Sequence, residues 1–331
     1  MNLLFTGGTG FFGKAVLRYL AAQADASRGA IVGKVTVLSR DPERFLAQNP
    51  QWRGLPWLAF HRGDIEAPET FPRDQGFTHI LHAAADSTDA RHLRAWQRFD
   101  QIVQGTRHLL QFAGEQGIRR FLLTSSGAVY GPQPASLEAI PESWHGMPDP
   151  LNIGATYGVA KRQAEHLCAL YADRYGIEPV IARCFAFVGE DLPLDVHFAI
   201  GNFIRDALFR DEIVINGDGS PLRSYMDQSE LARWLLTMLR DGTPGRAYNT
   251  GSPESVSLAE LAHRVAERLA PGKPVRILGK PASDNAQRNR YVPDVSLARE
   301  ALRLENRVGL DEAISRAGEG ILRTRSAAGL A

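Results

Sequence analysis

A tyrosine and a lysine stand four positions apart in this chain, at Tyr157 and Lys161. Apolar residues recur at helical spacing from Tyr157 to Tyr175, and a helix there places both side chains on one face. An ammonium group beside a phenol stabilises the phenolate and lowers the pKa of the tyrosine towards neutral pH. The pair can therefore exchange a proton with a hydroxyl or carbonyl group, and the lysine can also hold a ribose.

Hydroxyl side chains follow an apolar run that ends near Ser125. The run Phe121 to Ser125 reads as a strand, and it leads into the segment Thr124–Gly131, TSSGAVYG. A hydroxyl at this point can donate a hydrogen bond to a substrate carbonyl. The carboxyl ends of strands in open α/β sheets are where ligands bind, so we expect this segment to line the same site as the tyrosine.

A glycine-rich turn follows the first predicted strand. The segment Thr6–Gly13 reads TGGTGFFG and opens a predicted helix. Gly7 permits the tight turn, Gly10 lets the backbone approach a pyrophosphate at the helix N-terminus, and Gly13 allows the helix to pack closely on the strand. Its place between strand and helix predicts a dinucleotide site; the alternative is a glycine-rich turn without a ligand.

The end of the second predicted strand indicates which dinucleotide is favoured. Ser39 stands where an acidic residue would bind the ribose of NAD, and Arg40 follows with a fork suited to a 2′-phosphate. This favours NADP(H), with NAD(H) as the other possibility. The alternative is that Arg40 is a solvated charge and Asp41 binds the ribose. Asp64 and Ile65 follow the third strand, where a carboxylate can meet the adenine amino group or simply form a turn.

The elements that position these residues alternate between short apolar runs and amphipathic stretches, which predicts a parallel sheet covered by helices. A long irregular segment, Pro132 to Gly154, is expected near substrate. Further helices are predicted at Ala199–Phe209, Gln228–Arg240 and Leu258–Leu269, and Thr324–Ala331 is expected to be frayed. The first-half strands are predicted at Leu3–Thr6, Lys34–Ser39, Trp57–His61, His79–His82, Phe121–Ser125 and Pro179–Cys184, and the helices at Gly13–Ala24, Arg94–Ala113 and Tyr157–Tyr175.

The composition of the 331 residues excludes several kinds of partner. Thirty-eight basic residues nearly balance 37 acidic ones, and the net charge of +1 offers no broad surface for nucleic acid or an anionic membrane. No run of about 18 apolar residues is present that would span a bilayer. The two cysteines, Cys168 and Cys184, form no zinc-binding pattern. A cytoplasmic enzyme of small molecules, without a metal, is the expectation.

Together these motifs resemble the extended short-chain dehydrogenases/reductases that act as nucleotide-sugar epimerases, dehydratases and ketoreductases. The family pattern TGxxGxxG is matched by Thr6–Gly13, HxAA by His82–Ala85, SSxxVYG by Ser125–Gly131 and YxxxK by Tyr157–Lys161. The resemblance covers nearly the whole chain. It implies an α/β fold with a Rossmann-type doubly wound parallel sheet and a smaller C-terminal substrate domain. We place the first domain at 1–184, with a segment near 222–250 returning to it, and the second at 185–331.

The resemblance also assigns roles to individual residues. The catalytic set is Ser126, Tyr157 and Lys161. Arg223, in a segment similar to the family's GDGxxxR, is expected to bind the diphosphate of a nucleotide sugar, with Asn202 and Arg290 also at the substrate; the alternatives are caps and surface ion pairs. His197 lies in an unusual stretch, Asp195–Phe198, and is interpreted as a substrate contact or, alternatively, as a structural histidine. The cofactor is expected to contact Gly7, Gly10, Phe11, Phe12, Gly13, Ser39, Arg40, Asp64, Ile65, Ala83, Ala84, Ala85, Tyr157 and Lys161.

Three motifs depart from the family pattern. Family dehydratases carry acids directly after the catalytic hydroxyl, where this chain has Gly127-Ala128, so dehydration is disfavoured unless a distant acid such as Glu142 or Asp191 substitutes. Ala186 replaces the asparagine of RxxNxxG. Ile102 replaces the asparagine of NxxGT, next to Gln101, which is a possible substitute.

The favoured function is the NADPH-dependent reduction of a nucleotide-linked 4-keto sugar, as in polysaccharide biosynthesis. The alternative is an NAD(P)-dependent nucleotide-sugar epimerase that uses the same residues. A 4,6-dehydratase and a non-catalytic dinucleotide-binding regulator are less favoured. The resemblance further implies a homodimer through the helices Arg94–Ala113 and Tyr157–Tyr175, with Leu167, Leu170 and Tyr171 as candidate contacts; the alternative is that these residues face the core.

Overall fold

The computed structural model describes residues 1–25, 33–85, 94–196, 198–280 and 289–327. The chain forms two compact units. Unit 1 consists of Met1–Gly131, Gly146–Cys184 and Ala232–Tyr248, and unit 2 consists of Pro132–His145, Phe185–Leu231 and Asn249–Ala331.

The described residues form these helices and strands in chain order. The strands are β1 (Asn2–Thr6), β2 (Lys34–Ser39), β3 (Leu58–Arg62), β4 (His79–His82), β5 (Arg120–Ser126), β6 (Glu178–Cys184), β7 (Phe187–Val188), β8 (Ile213–Ile215), β9 (Leu222–Ser224), β10 (Met226–Asp227), β11 (Ala247–Thr250), β12 (Ser255–Ser257), β13 (Val275–Ile277) and β14 (Arg290–Tyr291). The helices are α1 (Phe11–Asp25), α2 (Pro42–Gln48), α3 (Ala95–Glu115), α4 (Thr156–Tyr175), α5 (Ala199–Phe209), α6 (Gln228–Asp241), α7 (Leu258–Leu269), α8 (Ser296–Leu302) and α9 (Leu310–Ala327).

Within the described ranges, the largest sheet has seven parallel strands in the order β3-β2-β1-β4-β5-β6-β11. The strand order reverses between β1 and β4, and such a switch point is where open α/β sheets bind ligands beyond the strands' carboxyl ends. Leu3, Leu4 and Phe5 of β1 are fully buried, as expected for a strand covered by helices on both faces. The predicted Rossmann-type α/β fold is confirmed.

Helices α3 and α4 pack against each other and against the sheet. The apolar stripe of α4 faces inward: Leu167 is 3% exposed and belongs to the core, so its assignment to a dimer contact is wrong. Leu170 is 49% exposed, and Tyr171 stacks on Tyr175 at 5.7 Å between ring centroids. Helix α4 ends at Gly176, whose φ of 67° forms the left-handed cap. The homodimer stays a prediction.

Unit 2 contains small sheets and the helices α5, α7, α8 and α9. Its described strands form the sheets β12-β9-β14, β10-β7 and β13-β8. Residues 132–145, which the sequence pattern assigns to the first domain, belong to this unit because their backbone pairs with its later segments. The N–H of Ile140 donates to Val292, and the buried side chain of Asn249 donates to the carbonyl oxygens of Ile140 and Asp294.

Two further elements differ from the sequence expectations. Strand β11 is short and partly polar, AYNT, and carries no strand pattern of its own; its place beside β6 makes it a strand. Helix α9 continues to Ala327, past the start of the expected frayed end, and residues 328–331 lie outside the described part. No described helix has the length and apolar character needed to cross a membrane.

Candidate active site and dinucleotide site

The glycine-rich turn lies at the switch point between β1 and β4. Gly7 has a φ of 78°, and a Cβ there would lie 2.5 Å from the backbone carbonyl of Ala83. A Cβ on Gly13 would lie 2.1 Å from the carbonyl carbon of Gly8. Contacts with the protein's own backbone therefore require glycine at both positions.

Gly10 is different, because the protein itself leaves room for a side chain. The nearest atom to an added Cβ is the carbonyl oxygen of Gly7, at 3.6 Å, which is an ordinary contact. Glycine at this place fits the predicted approach of a ligand to the backbone at the N-terminus of α1, where the N–H groups of the first turn favour a pyrophosphate. Phe11 and Phe12 begin the helix, and the small residues Ala83–Ala85 follow β4. These residues fit a dinucleotide.

We expect Gly10→Ala and Gly13→Ala to fail in different ways. Gly13→Ala forces backbone atoms apart and should cost about 1–3 kcal/mol of stability. Gly10→Ala should leave the melting temperature close to that of the wild type but weaken dinucleotide binding by about tenfold or more. Thermal unfolding and a binding titration of both variants measure this. Wild-type affinity in Gly10→Ala would contradict a pyrophosphate at this turn.

The strand ends beside this turn carry the residues expected at the adenosine. Ser39 ends β2, and Arg40 is exposed. The Asp41 carboxylate accepts a hydrogen bond from the N–H of Arg44 at 3.1 Å and caps α2. This contact disfavours the alternative in which Asp41 binds the ribose.

Asp64 and Ile65 have structural contacts of their own. The carboxylate of Asp64 accepts a hydrogen bond from the N–H of Glu66 at 3.0 Å, which is the turn geometry of the alternative interpretation. The Ile65 side chain is 7% exposed and packs in the core, and its carbonyl accepts a hydrogen bond from Nδ1 of His108 at 2.9 Å. Any contact of Ile65 with adenine would therefore come from its main chain.

The predicted catalytic residues all lie in unit 1. Ser126 ends β5, and its Oγ accepts a hydrogen bond from the N–H of Ala128 at 3.2 Å. Tyr157 lies on the first turn of α4 and Lys161 one turn later, with its Nζ 5.8 Å from the tyrosine ring centroid. A Cβ on Gly158 would lie 2.5 Å from the Ala128 carbonyl oxygen, so this turn of α4 packs directly on the turn that follows Ser126.

Burial controls the charge of Lys161. The side chain is 3% exposed, and its Nζ donates a hydrogen bond to the Thr124 carbonyl oxygen at 2.8 Å. Burial lowers the pKa of Lys161 to about 8, although the nearby Cys184 and Glu165 oppose this shift. The ammonium is therefore charged at neutral pH and lies close enough to the Tyr157 ring to favour its phenolate.

His82 is a core residue rather than an acid or base. Burial, and then the charge of Lys161, lower its pKa to about 3, so the ring is neutral at physiological pH. Its Nδ1 lies 2.8 Å from Oγ1 of Thr6 and its Nε2 lies 3.1 Å from Oγ1 of Thr106. These contacts join β1, β4 and α3 beneath the glycine turn.

We expect Lys161→Met to raise the pKa of Tyr157 by about one unit or more, because the variant removes the cation that stabilises the phenolate. The measurement is the near-ultraviolet phenolate absorbance against pH, taken as the difference between each protein and its Tyr157→Phe counterpart. Lys34→Met, at the amino end of β2, removes the same charge at the opposite edge of the sheet and serves as the control. An equal titration in Lys161→Met and the control would show that the lysine does not act on the tyrosine.

A partly buried ion pair that the motifs do not include supports the same region. Glu165 accepts two hydrogen bonds from Arg183, from Nε at 3.0 Å and from a terminal nitrogen at 2.7 Å. It also accepts one from Oγ of Ser125 at 2.5 Å, while Arg183 donates to the Tyr130 hydroxyl at 2.9 Å. Glu165 stands four residues after Lys161, so its helical spacing from Tyr157 and Lys161 is a signal that the sequence does carry.

We expect Glu165→Gln to lower the stability of unit 1 by about 3 kcal/mol, because it leaves the guanidinium of Arg183 in a buried place without a countercharge. The side chains of Glu165 and Arg183 are 13% and 17% exposed. Glu43→Gln breaks a pair with the exposed Arg53 and should cost under about 1 kcal/mol. Urea unfolding compares the two variants. Equal unfolding midpoints would mean that the buried pair contributes no more than the surface pair.

The predicted substrate residues lie in unit 2. Arg223, on β9, donates to the carbonyl oxygens of Leu222 and Asn289 at 2.8 and 3.0 Å, and burial lowers its pKa. No carboxylate among the described residues lies within ion-pair distance of it. The Asn202 side-chain oxygen accepts a hydrogen bond from Arg205 at 3.2 Å. His197 lies outside the described residues.

Arg290 does not share a face with Arg223. The strand register pairs Arg290 with Leu222 and pairs Tyr291 with Arg223. Because side chains alternate along a strand, the two arginines leave opposite faces of the β9–β14 pair. The structure thus does not bring them together on one side of this sheet.

The structure shows the surroundings of residues that depart from the family pattern and of the two acids considered as substitutes. Gly127 and Ala128 form the turn after Ser126 and carry no ionisable group. Ile102 is 1% exposed in the core. Glu142 accepts a hydrogen bond from the N–H of Asn249 at 2.7 Å, and Asp191 accepts one from Gln228 at 3.4 Å. Among the described residues, no cluster of three or more His, Cys, Asp or Glu could hold a metal ion.

The comparisons with known proteins agree on a family. The model of the NAD dependent epimerase/dehydratase family matches residues 3–251. UDP-glucuronic acid decarboxylase 6 of Arabidopsis thaliana is 29% identical over 95% of this chain and 87% of the relative. UDP-glucuronic acid decarboxylase 1 of Xenopus tropicalis is 25% identical over 95% of this chain and 70% of the relative.

Solved structures show the same fold over nearly the full length. The dTDP-glucose 4,6-dehydratase DesIV of Streptomyces venezuelae, with NAD bound, has a TM-score of 0.83 and 26% identity, covering 98% of both chains. A UDP-glucose 4-epimerase of Thermotoga maritima, with UDP-glucose, has a TM-score of 0.81 and 23% identity, covering 98% of this chain and 99% of the other. The similar proteins carry three different activities, so the exact reaction has to be argued from the residues of this chain.

Proposed function

Because this chain belongs to the NAD dependent epimerase/dehydratase family, we propose that it is an enzyme that reduces the ketone of a nucleotide-linked 4-keto sugar, with NADPH. The observation that carries the proposal is the composition of the catalytic site. The chain has the three catalytic residues Ser126, Tyr157 and Lys161, and the two residues directly after Ser126 are Gly127 and Ala128, whose side chains cannot transfer a proton. Such a site exchanges one proton with a sugar oxygen, and the two residues directly after Ser126 add no second acid or base.

The chemistry needs two transfers to the carbonyl group. When bound, the reduced nicotinamide supplies the hydride. Tyr157 supplies the proton to the oxygen as the ketone becomes an alcohol, and the Lys161 ammonium stabilises the phenolate that remains. Ser126 donates a hydrogen bond to the carbonyl oxygen. Dehydration would in addition need a base for the proton beside the ketone and an acid for the leaving hydroxyl, and the positions after Ser126 supply neither.

Arg40 supports NADPH as the cofactor. Its guanidinium is exposed, and no carboxylate among the described residues lies within ion-pair distance of it. Asp41, the acid that would compete for an adenosine ribose, caps α2 instead. A free guanidinium fork beside Ser39 suits a 2′-phosphate. The similar structures that name their cofactor hold NAD, so this preference rests on the residues of this chain.

Arg223 supports a substrate that carries a nucleotide diphosphate, which the protein binds through this arginine. Burial disfavours its positive charge, its hydrogen bonds to described residues go to carbonyl oxygens, and the ionisable groups that act on it are the phenols of Tyr225 and Tyr291. A diphosphate bound to the guanidinium would supply the missing countercharge. The named substrates of the similar proteins are UDP or dTDP sugars, which carry this group.

A second candidate is an NAD(P)-dependent nucleotide-sugar epimerase. The family description and the NAD-bound dehydratase favour a nucleotide that is reduced and reoxidised without leaving. The same three residues serve this reaction, because Tyr157 first accepts the proton of an alcohol and later returns it. The two candidates differ in whether the nucleotide is consumed.

We expect the purified protein to consume NADPH when a UDP- or dTDP-linked 4-keto sugar is added. Tyr157→Phe should lower kcat by about a hundredfold or more while the affinity for NADPH stays nearly unchanged, because only the proton donor is lost. Tyr171→Phe, near the C-terminal end of the same helix, is the matched control and should retain activity.

The nucleotide released on denaturation distinguishes the candidates and is identified by mass. Little retained nucleotide, with net NADPH consumption, supports the reductase. Tightly retained NAD, together with inversion of a sugar carbon and no net consumption of NADPH, would overturn the reductase and support the epimerase.

A further inference from the structure

The end of β3 places a second arginine beside the position that selects the dinucleotide. Arg62 is the last residue of β3, and the register of the parallel pair matches it with Ser39, the last residue of β2. Residues matched in this way project to the same face of the sheet, with neighbouring strands about 4.8 Å apart. The carboxyl edge of the sheet therefore presents Arg62 directly beside Ser39, the residue that precedes Arg40.

Hydrogen bonds hold the backbone on both sides of Arg62, so the position from which its side chain extends is defined. The strand ladder holds residues 58–62, and the N–H of Gly63 donates to the carbonyl oxygen of Ser39 at 3.0 Å. A Cβ on Gly63 would lie 2.7 Å from a methyl group of Leu38. Glycine at 63 thus lets the chain turn against β2, which keeps Arg62 close to the end of that strand.

Among the described residues, no acidic side chain forms an ion pair with Arg62. The side chain is exposed, and no described carboxylate lies within ion-pair distance of Arg62 or Arg40. The nearest acids along the chain hold backbone N–H groups instead, since Asp41 caps α2 and Asp64 forms a turn with Glu66. The guanidinium groups of Arg40 and Arg62 therefore extend from the ends of two neighbouring strands, β2 and β3, and β3 is the outermost strand of the sheet.

The same edge holds the glycine turn in register with these residues. Thr6 of β1 is matched with Leu38, so Gly7, Ser39 and Arg62 succeed one another across the ends of three neighbouring strands. A dinucleotide whose pyrophosphate lies at the glycine turn extends its adenosine along this row. The phosphate on its 2′ oxygen is a dianion, and forked guanidinium groups are the side chains that bind such a group best.

We propose that Arg62 acts with Arg40 to bind the 2′-phosphate of NADPH, as a specificity-determining residue supplied by β3. The proposal rests on the proposed use of NADPH and names a residue of the same site. It differs from a general attraction for anions, because the contact would be made only by the phosphate that distinguishes NADPH from NADH.

The test compares the dissociation constants of NADPH, NADH and 2′,5′-ADP for the full chain, by titration calorimetry at low and high salt. The variants are Arg62→Gln, Arg40→Gln and the double variant. Arg119→Gln is the matched control. This exposed arginine lies just before β5, at the amino ends of the strands, and its substitution removes the same charge. Melting temperatures confirm that all variants are folded.

We expect Arg62→Gln to weaken NADPH and 2′,5′-ADP binding by about tenfold or more, as for the loss of a charged hydrogen bond, and to change NADH binding by less than about twofold. The loss should shrink at high salt, where exposed charges are screened. The double variant should bind NADPH and NADH alike, and Arg119→Gln should match the wild type.

Two different failures are distinguishable. Equal effects of Arg62→Gln on NADPH and NADH, or no effect on either, would overturn the role of Arg62; a selective loss in Arg40→Gln would then leave the use of NADPH intact. A wild-type protein that binds NADH as tightly as NADPH would overturn the cofactor preference of the proposed function, and the role of Arg62 would fall with it.

Discussion

The site depends on one buried cation, the ammonium of Lys161. Taking a charge out of water is costly, and the structure offsets this cost with the Thr124 carbonyl at 2.8 Å and with the nearby carboxylate of Glu165. These contacts fix the lysine between β5 and α4, and the lysine in turn fixes where Tyr157 must stand. Because the carbonyl belongs to β5 and the phenol to α4, the strand that ends in Ser126 and the helix that begins with Tyr157 are held together by the same charge.

The ion pair of Glu165 and Arg183 extends this constraint into the strands. Glu165 receives the Ser125 hydroxyl and Arg183 reaches the Tyr130 hydroxyl, so the residues on both sides of Ser126 and its turn are anchored. A buried pair of this kind adds little net stability compared with apolar residues, but losing one partner is costly. Its value here is geometric, since it holds the strand end on which the catalytic hydroxyl is carried.

Much of the fold could be predicted because parallel strands that are buried on both faces read as apolar runs. The first six strands and the helices Gly13–Ala24, Arg94–Ala113 and Tyr157–Tyr175 lie within a few residues of their predicted bounds. Strand β11 could not be predicted, since its four residues become a strand only through their place beside β6. The assignment of residues 132–145 to unit 2 likewise depends on distant partners such as Val292 and Asn249.

The candidate site divides in the same way between local spacing and long-range pairing. Tyr157 with Lys161, and the three glycines, are set by spacing within one helix or turn, and a sequence shows them directly. Arg62 beside Ser39 and Arg183 beside Glu165 are set by strand register and by packing between elements, which no local pattern encodes. Gly10 shows why the two kinds of information need each other. The motif alone does not show which of its glycines are required by packing, but the structure does, because among Gly7, Gly10 and Gly13 the protein leaves space for a side chain at Gly10 and not at the other two.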